Sequence, residues 1–304
     1  MAISLTKPQT TNKFCFPILF CFDSCYATHA GVALYSLFVT NANQLFKIYV
    51  IGTEIGKRDL AKIANICKQF HCEFHFLSCD VSILNHLPET YHFNRSIYYR
   101  LFAADLVPEE KCLYLDSDLI VMGDISSLIE INLSDFSLAA VKNKGCWDSK
   151  LLGLKSEDQY FNSGVMVLNL EKWRELALGA KAIEFIQNNH SKLRFGDQDG
   201  LNAVIAGNWL RLDESFNFQQ KMVGERFFDE SDPPVIVHFT GSSKPWHFNN
   251  RHPWRKHYWQ YRNQTPFKKY ISDDLSIVTV LRFFAPRFVI RSVRYLRKKL
   301  FPIF

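Results

Sequence analysis

Short apolar runs alternate with amphipathic segments from Pro17 to Leu115, and this alternation constrains the fold more than any other feature of the sequence. Four runs are typical of strands: Pro17–Phe22, Phe46–Ile51, Glu73–Leu77 and Lys111–Leu115. Three segments between them are typical of helices: Ala27–Phe38, Lys57–Phe70 and Ser96–Leu106. Strands that alternate with helices predict an α/β fold on a mostly parallel central sheet. Ligands bind such sheets at the carboxyl ends of the strands, which locates the site before any motif is considered.

The second half of the chain continues this pattern less regularly. We expect strands at Ser137–Val141, Val165–Leu170 and Val235–Phe239, and helices at Glu171–Asn188 and Asp197–Ala206. The length of 304 residues, of which 47% are hydrophobic, fits one large domain or one domain with an appendage. We therefore expect residues 1–264 to form the α/β domain and residues 265–304 to form a separate tail.

The tail carries the positive charge of the chain. The formal net charge is +6, but residues 265–304 hold nine Lys and Arg against two acidic residues, which leaves 27 basic and 28 acidic residues in 1–264. On a helix, two opposite faces would form: Val289, Val293, Leu296 and Leu300 against Arg287, Arg291, Arg294 and Lys298. This pattern predicts an amphipathic helix on an anionic membrane surface. A helix packed on the body and a nucleic-acid arm are the alternatives, and we expect no nucleic-acid partner.

The cysteines and the apolar runs indicate a cytosolic protein. The eight cysteines lie mostly inside apolar runs and form no C-x-x-C pair, which is typical of reduced, buried thiols. The run Phe14–Phe22 contains Pro17 and ends at Asp23 without a cleavage site, so it predicts a first strand and not a signal peptide. No apolar run reaches the ~18 residues of a membrane span. We expect a cytoplasmic protein held at the inner face of the membrane by its tail.

The segment Leu-Tyr-Leu-Asp-Ser-Asp, which ends in Asp116 and Asp118, is the strongest local signal of function. It places two carboxylates, separated by one residue, at the end of a predicted strand. Two such carboxylates can both reach one divalent cation, and that cation can also bind a diphosphate. Because D-x-D is common by chance, a loop with solvated acids is the alternative for this segment alone.

A second segment, His-Phe-Thr-Gly-Ser-Ser-Lys-Pro-Trp, lies far downstream and follows a predicted strand. His238 is a candidate third ligand, since carboxylate oxygens with an imidazole suit manganese. Gly241 permits close approach of a ligand to the backbone, and Lys244 offers a charge for a phosphate. An isolated histidine at a strand end is more often structural, so this reading depends on the D-x-D segment.

Two further segments carry polar residues at predicted strand and helix ends. Phe-Asn-Ser-Gly-Val contains Asn162, and Gly-Asp-Gln-Asp-Gly contains Asp197 and Gln198. Taken alone, Asn162 could be a turn residue and Asp197 could be a helix N-cap.

In this order, the four segments resemble glycosyltransferase family 8, and the resemblance extends from about Phe14 to Tyr261. The family includes glycogenin and the bacterial glucosyl- and galactosyltransferases of lipopolysaccharide and lipooligosaccharide. The resemblance implies a GT-A nucleotide-sugar-binding fold, a UDP-hexose donor, manganese or magnesium, and transfer with retention at the anomeric carbon. It also implies a saccharide acceptor, which we expect to be lipid-linked.

The resemblance assigns a role to each matched residue. As metal ligands it implies Asp116, Asp118 and His238. As donor-binding residues it implies Asp23, Tyr26, Arg100, Asp118, Asn143, Asn162, Gly241 and Lys244. Asp197 and Gln198 match positions around the transferred hexose, and we expect them to be the catalytic pair. The chain departs from the family at Ser24 and Cys25 beside the uridine segment. It also departs at Asn143, where many members have aspartate, so glucose and galactose both remain open.

The matched residues also favour one mechanism. Gln198 is a poor nucleophile, so we expect the acceptor hydroxyl to attack from the face that the diphosphate leaves, with a phosphate oxygen taking its proton. Two other classes remain as alternatives: a D-x-D phosphohydrolase and a membrane-bound sugar-binding protein without turnover. The first usually has its motif on the first strand, whereas about a hundred residues precede Asp116 here. A sugar-binding protein without turnover would not require a complete set of metal ligands together with Lys244, so their presence argues against this alternative.

Overall fold

The computed structural model describes residues 15–78, 95–144, 149–219 and 231–269, with positions 82, 84, 87, 222, 223, 272, 274–277, 279 and 280. These residues form ten strands: β1 (Cys15–Cys21), β2 (Leu45–Gly52), β3 (Glu73–Ser78), β4 (Lys111–Leu115), β5 (Leu119–Val121), β6 (Leu138–Lys142), β7 (Phe161–Asn169), β8 (Leu210–Arg211), β9 (Phe218–Gln219) and β10 (Ile236–His238). They also form eight α-helices: α1 (Ala27–Thr40), α2 (Lys57–Gln69), α3 (Ala103–Leu106), α4 (Ser126–Glu130), α5 (Leu170–Glu175), α6 (Leu178–Asn189), α7 (Asp197–Ile205) and α8 (Arg255–Asn263). The predicted α/β class is confirmed.

Seven strands form the central sheet, in the order β3-β2-β1-β4-β7-β6-β8. The first four strands are parallel, as predicted, and β1 pairs with both β2 and β4. Strand β7 is antiparallel to β4 and to β6, with Leu115 opposite Val165. Because β7 runs in the opposite direction, its first residues lie beside the carboxyl end of β4. The residues that follow Leu115 and those that begin β7 therefore meet at one edge of the sheet.

A second sheet of three strands, in the order β5-β10-β9, adds residues from the later part of the chain to this edge. Strand β10 is antiparallel to β5 and places His238 opposite Leu119. The backbone N–H of Phe239 donates to the carbonyl oxygen of Asp118 over 3.0 Å. This pairing brings the end of β10 to the D-x-D segment, although more than a hundred residues separate them in sequence.

Hydrophobic cores cover both faces of the central sheet, because successive side chains of a strand point to opposite faces. On β1, Ile18 and Phe20 pack with α1 and α2, whereas Leu19 packs on the other face with Trp173 of α5 and Ile183 of α6. All five side chains are buried. Helices on both faces of the sheet make a three-layer α/β domain, as expected for strands that alternate with helices.

Two helix predictions need correction. The predicted helix Ser96–Leu106 is a 3₁₀ helix, Arg95–Phe102, followed by the four-residue helix α3. This 3₁₀ helix contains isoleucine and two tyrosines, which are weak helix formers, and the carbonyl of Ile97 accepts a hydrogen bond from Arg100 Nε. The predicted helix Glu171–Asn188 is instead two helices, α5 and α6, which break at Ala177, whose φ is +50°.

The start of β7 also differs from the prediction. Its range begins four residues before the predicted strand Val165–Leu170 and includes Asn162 and Gly164. Asn169 ends the strand, and its side chain caps α5 by accepting the backbone N–H of Lys172 over 3.0 Å. The longer strand matters for function because it places the Phe-Asn-Ser-Gly segment on the sheet and not in a loop.

The first described residues of the predicted tail contact the domain. Phe267 is buried against helix α1, where a Cβ at Gly31 would lie 2.5 Å from its ring. The side chain of Asp274 accepts a hydrogen bond over 2.8 Å from the backbone N–H of Phe248, which lies four residues after Lys244. The amphipathic helix predicted from Arg287 to Leu300 lies outside the described residues. In the part of the chain that the structure describes, no helix is long and apolar enough to cross a membrane.

Candidate active site

The D-x-D segment and His238 converge at the carboxyl edge of the central sheet. Asp116 follows β4, Asp118 precedes β5, and His238 is the last residue of β10. His238 Nε2 lies 3.2 Å from Asp118 Oδ1 and 3.5 Å from Asp116 Oδ2. One possible ligand atom from each of the three residues lies within 4.8 Å of the other two. Two carboxylates and an imidazole at this spacing fit one divalent cation of the manganese type.

Close packing beneath these ligands requires a glycine. A Cβ added to Gly164 would lie 2.1 Å from His238 Cε1 and 2.7 Å from Asp116 Oδ2. The carbonyl of Gly164 accepts the backbone N–H of Asp116 over 2.8 Å, which fixes the two strands at this point. A side chain at position 164 would therefore displace two of the three candidate ligands.

Lys244 binds the second aspartate directly. Its Nζ donates to Asp118 Oδ2 over 2.5 Å and to the carbonyl of Phe239 over 2.8 Å. Burial alone would raise the pKa of Asp118, but the positive surroundings of this carboxyl, above all the charge of Lys244, outweigh burial and lower it. Asp118 is therefore a carboxylate at neutral pH, which is the form that a cation binds.

Arg100 joins the candidate metal site to helix α7. Its guanidinium lies 3.0 Å from Asp116 Oδ1 and 3.1 Å from Asp197 Oδ2, and it donates to the carbonyl of Ser163 over 2.9 Å. It also packs over the ring of Tyr114, 4.6 Å from the centroid. Nearly all of the guanidinium is buried, so Arg100 organises the two carboxylates as well as being a candidate donor contact.

Asp197 is the first residue of α7 and is not its N-cap, which is Gly196 with a φ of +48°. Burial raises the pKa of Asp197 to about 7, although the charge of Arg100 opposes this rise. One guanidinium serves two carboxylates, and the negative charge of Asp116 adds to the rise. Asp197 is thus a buried carboxyl group whose charge changes near neutral pH.

Three predicted residues form a cluster of side-chain amides beside the candidate metal site: Asn143, Asn162 and Gln198. Asn162 Nδ2 donates to Asn143 Oδ1 and to Gln198 Oε1, over 3.1 Å in each case. Gln198 Oε1 also accepts the backbone N–H of Ser163 over 3.0 Å, and Gln198 Nε2 donates to the hydroxyl of Tyr160 over 2.9 Å. Both ends of the Gln198 side chain are thus engaged, which leaves it poorly placed to attack a sugar.

The other predicted donor-binding residues lie at the margin of the site. Asp23 Oδ1 accepts the backbone N–H groups of Cys25 and Tyr26, so this carboxylate shapes the turn before α1. Burial, followed by the nearby charge of Asp118, raises the pKa of Tyr26. Gly241 has a φ of +84°, and apart from its two chain neighbours no atom of the described residues lies within 4 Å of where its Cβ would be. That open space is consistent with approach of a ligand to the backbone.

Three residues that contact the candidate metal ligands were not predicted from the sequence. Tyr114 donates its hydroxyl to Asp116 Oδ1 over 2.6 Å, and Asn217 Oδ1 lies 2.9 Å from His238 Nδ1. Gly164 provides the space described above. Tyr114 could have been predicted, because residues two apart on a strand face the same way. Asn217 follows no recognisable pattern in the sequence.

The fold and this edge of the sheet define the class of protein. A mostly parallel α/β sheet with a carboxylate–imidazole site at its carboxyl edge is the GT-A architecture. The LgtC galactosyltransferase, solved with donor and acceptor sugar analogs, has the same fold: its TM-score is 0.76, at 22% identity over 83% of this chain and 96% of that chain. The model of "Glycosyl transferase family 8" matches residues 17–250. The chain belongs to glycosyltransferase family 8, whose members depend on a divalent metal.

Several curated proteins are similar in sequence to this chain along most of its length. "General stress protein A" of Bacillus subtilis is 32% identical over 267 residues, which is 82% of this chain and 93% of the relative. Lipopolysaccharide 1,2-glucosyltransferase of Escherichia coli is 28% identical over 84% of this chain and 79% of its own length. Lipopolysaccharide 1,3-galactosyltransferase of Salmonella typhimurium is 26% identical over 83% and 79%. The relatives thus include enzymes for both glucose and galactose.

Proposed function

We propose that this glycosyltransferase transfers glucose or galactose from a UDP-sugar to a saccharide acceptor, with manganese or magnesium and with retention at the anomeric carbon. The observation that carries the proposal is the convergence of Asp116, Asp118 and His238 beside Lys244. Three ligands that leave part of a cation open, next to a lysine ammonium, suit a nucleoside diphosphate. A purely structural metal site would not need the lysine.

The residues of the site support departure of UDP without a protein acid. When bound, the divalent cation acts as a Lewis acid that stabilises negative charge on the departing diphosphate. Lys244 is held in place by Asp118 and by the carbonyl of Phe239, and on this proposal its fixed charge stabilises the negative charge that grows on the diphosphate. Arg100 fixes Asp116 and Asp197 with respect to each other. These groups stabilise the leaving group and do not have to move a proton.

The engaged amide of Gln198 supports attack by the acceptor from the face that UDP leaves. Its Oε1 accepts hydrogen bonds from Asn162 and from the backbone of Ser163, and these bonds would have to break before it could attack carbon. Asp197 is tied to Arg100 in the same way. On this proposal the acceptor hydroxyl forms the new bond to the anomeric carbon while the bond to the diphosphate breaks. The hydroxyl proton passes to a phosphate oxygen of UDP.

A donor screen with the purified full chain tests this function. Release of UDP is measured with UDP-glucose, UDP-galactose and UDP-N-acetylglucosamine, each with manganese and with excess chelator. We expect release from one of the first two donors, and only with metal. The variant Asp105→Asn removes an exposed carboxylate outside the site and serves as the matched control for Asp116→Asn. Absence of UDP release from every donor would refute transfer and favour a binding protein, and release of phosphate from simple esters would favour a phosphohydrolase.

We propose further that the acceptor is lipid-linked and that the basic tail holds the enzyme on an anionic membrane at the cytoplasmic face. The charge of residues 265–304 and the lipopolysaccharide transferases among the relatives support this proposal. Because Phe267 and Asp274 contact the domain, a truncation that tests the tail should end at Val280. It should lose binding to phosphatidylglycerol vesicles and retain UDP-sugar hydrolysis, with phosphatidylcholine vesicles as the control. A truncated enzyme that still binds the anionic vesicles would contradict the proposal.

A further inference from the structure

Asn217 lies between the metal site and the amide cluster, in the segment that leads into β9. Its side chain is fully buried, and each end of its amide has a partner. Asn217 Oδ1 lies 2.9 Å from His238 Nδ1, and Asn217 Nδ2 donates to Asn162 Oδ1 over 2.8 Å. A buried amide with a partner at each end is a rigid connection between the two groups that it joins.

A backbone hydrogen bond fixes the direction of this amide. The N–H of Gly164 donates to Asn162 over 3.0 Å, so the atom of Asn162 that receives it is the oxygen. The same oxygen faces Asn217, which must therefore present its NH₂ group. The remaining oxygen of Asn217 faces His238 Nδ1 and can only accept. It follows that Nδ1 of His238 carries a hydrogen.

The other nitrogen of the ring then faces the two aspartates. His238 Nε2 lies 3.2 Å from Asp118 Oδ1 and 3.5 Å from Asp116 Oδ2. In the tautomer with hydrogen on Nδ1, Nε2 presents a lone pair toward these carboxylates, and a bound divalent cation would be held by that lone pair together with the carboxylate oxygens. We propose that Asn217 is a positioning residue that holds His238 in the Nδ1–H tautomer, so that Nε2 binds the divalent cation. This inference rests on the proposed metal site.

Asn217 also connects the metal site to the candidate hexose pocket. Asn162, which receives its NH₂ group, donates in turn to Asn143 and Gln198. At the far end, Gln198 donates to Tyr160, whose hydroxyl donates to Asp199 Oδ1 over 2.6 Å. Every hydrogen bond in this series has a defined direction. The tautomer of His238 is therefore set by the same network that orients the amides of the pocket.

Metal binding in the absence of substrate tests the proposal. The free Mn²⁺ signal in electron paramagnetic resonance gives the dissociation constant of the full chain and of three variants. We expect Asn217→Ala to weaken Mn²⁺ binding by about 10–100-fold, because loss of a partner of a ligating histidine has this effect. Asn217→Asp keeps an oxygen that can accept the Nδ1 hydrogen but turns its second oxygen toward Asn162 Oδ1, so we expect it to bind Mn²⁺ more tightly than Asn217→Ala and less tightly than wild type. Asn41→Ala removes a buried amide that contacts Gly123 and Ile125, away from the site, and should leave the affinity unchanged.

A second measurement applies even if Asn217→Ala does not fold. In the wild-type protein labelled with ¹⁵N, the ring signals of His238, assigned through His238→Gln, report which nitrogen carries hydrogen. We expect the Nδ1–H tautomer. A folded Asn217→Ala protein with wild-type Mn²⁺ affinity, or a His238 ring with hydrogen on Nε2 alone, would overturn the inference. A wild-type protein that bound no Mn²⁺ would refute the metal site itself, and the ring signals would still test the role of Asn217.

Discussion

An alanine at position 164 would place a methyl group inside the candidate metal site. The new Cβ would lie 2.1 Å from His238 Cε1 and 2.7 Å from Asp116 Oδ2. Carbon atoms in ordinary contact are about 3.5 Å apart, so the ring and the methyl group would have to separate by more than about 1 Å. Gly164 lies within β7 and has no positive φ, so its backbone accepts alanine and only the contact is at issue.

The expected losses of activity and of stability follow from this displacement. Misplacing a group of a reactive site by about 1 Å costs about 100-fold in rate, which corresponds to about 2.7 kcal/mol in the activation free energy. Overpacking a buried position costs about 1–3 kcal/mol in the free energy of unfolding, which leaves a domain of this size folded in most cases. We therefore expect Gly164→Ala to fold and to lose at least about 100-fold in UDP release and in affinity for Mn²⁺.

The assay compares UDP release and Mn²⁺ affinity for wild type, Gly164→Ala and a matched control. Gly56→Ala is the control, because in the part of the chain that the structure describes no atom beyond its chain neighbours lies within 4 Å of where its Cβ would be, and its φ is −61°. Circular dichroism and thermal unfolding establish that each variant is folded. A folded Gly164→Ala protein with wild-type turnover would refute the reasoning, because His238 and Asp116 could then not lie where the structure places them.

Three further predictions concern the same site. Asp116→Ala and Asp118→Ala should each retain less than about a tenth of the UDP release of wild type, a loss above ~1.4 kcal/mol, while circular dichroism remains unchanged; more activity would show that these are not metal ligands. Chelator should abolish UDP release, and manganese should restore it better than calcium, because an imidazole ligand disfavours calcium; full activity in excess chelator would contradict this. The pKa of Asp197 rises from 3.8 to about 7 on folding, so the folded state takes up a proton between these values, and this contribution to stability is lost as the pH rises. In denaturant unfolding without metal, the free energy of unfolding of Asp197→Asn should therefore rise relative to that of wild type from pH 4 to pH 7. If the difference between the two free energies did not change with pH, the raised pKa would be excluded.

Local patterns predicted the parts of the fold that depend on local sequence. The strands β1, β2, β3 and β4 and the helices α1 and α2 lie within two residues of their predicted positions, since each has a clear apolar period and a polar boundary. The single helix predicted over Glu171–Asn188 failed because nothing in its apolar pattern marks the break at Ala177. A left-handed residue other than glycine is stabilised by its tertiary surroundings, so propensity cannot predict it.

The residues of the site were predicted by motif, whereas their partners were not. Asp116, Asp118 and His238 stand at strand ends, where the sequence has a recognisable form. Asn217 lies between two short strands, and its role depends on a histidine 21 positions later. Arg100 has a motif, but nothing in the sequence shows that it joins Asp116 to Asp197. Contacts between distant segments arise from the topology, and a single sequence carries no record of them.

The reversed direction of β7 explains how these distant segments meet. In a fully parallel sheet the carboxyl end of the strand beside β4 would supply the neighbouring residues. Because β7 is antiparallel to β4, the first residues of β7 lie beside the carboxyl end of β4. There the carbonyl of Gly164 accepts the backbone N–H of Asp116. Asn162, two residues earlier, then reaches both Gln198 and Asn217. One antiparallel strand in a mostly parallel sheet thus places the amide cluster against the candidate metal site, and the backbone N–H of Gly164 sets the direction of the hydrogen bonds that reach His238.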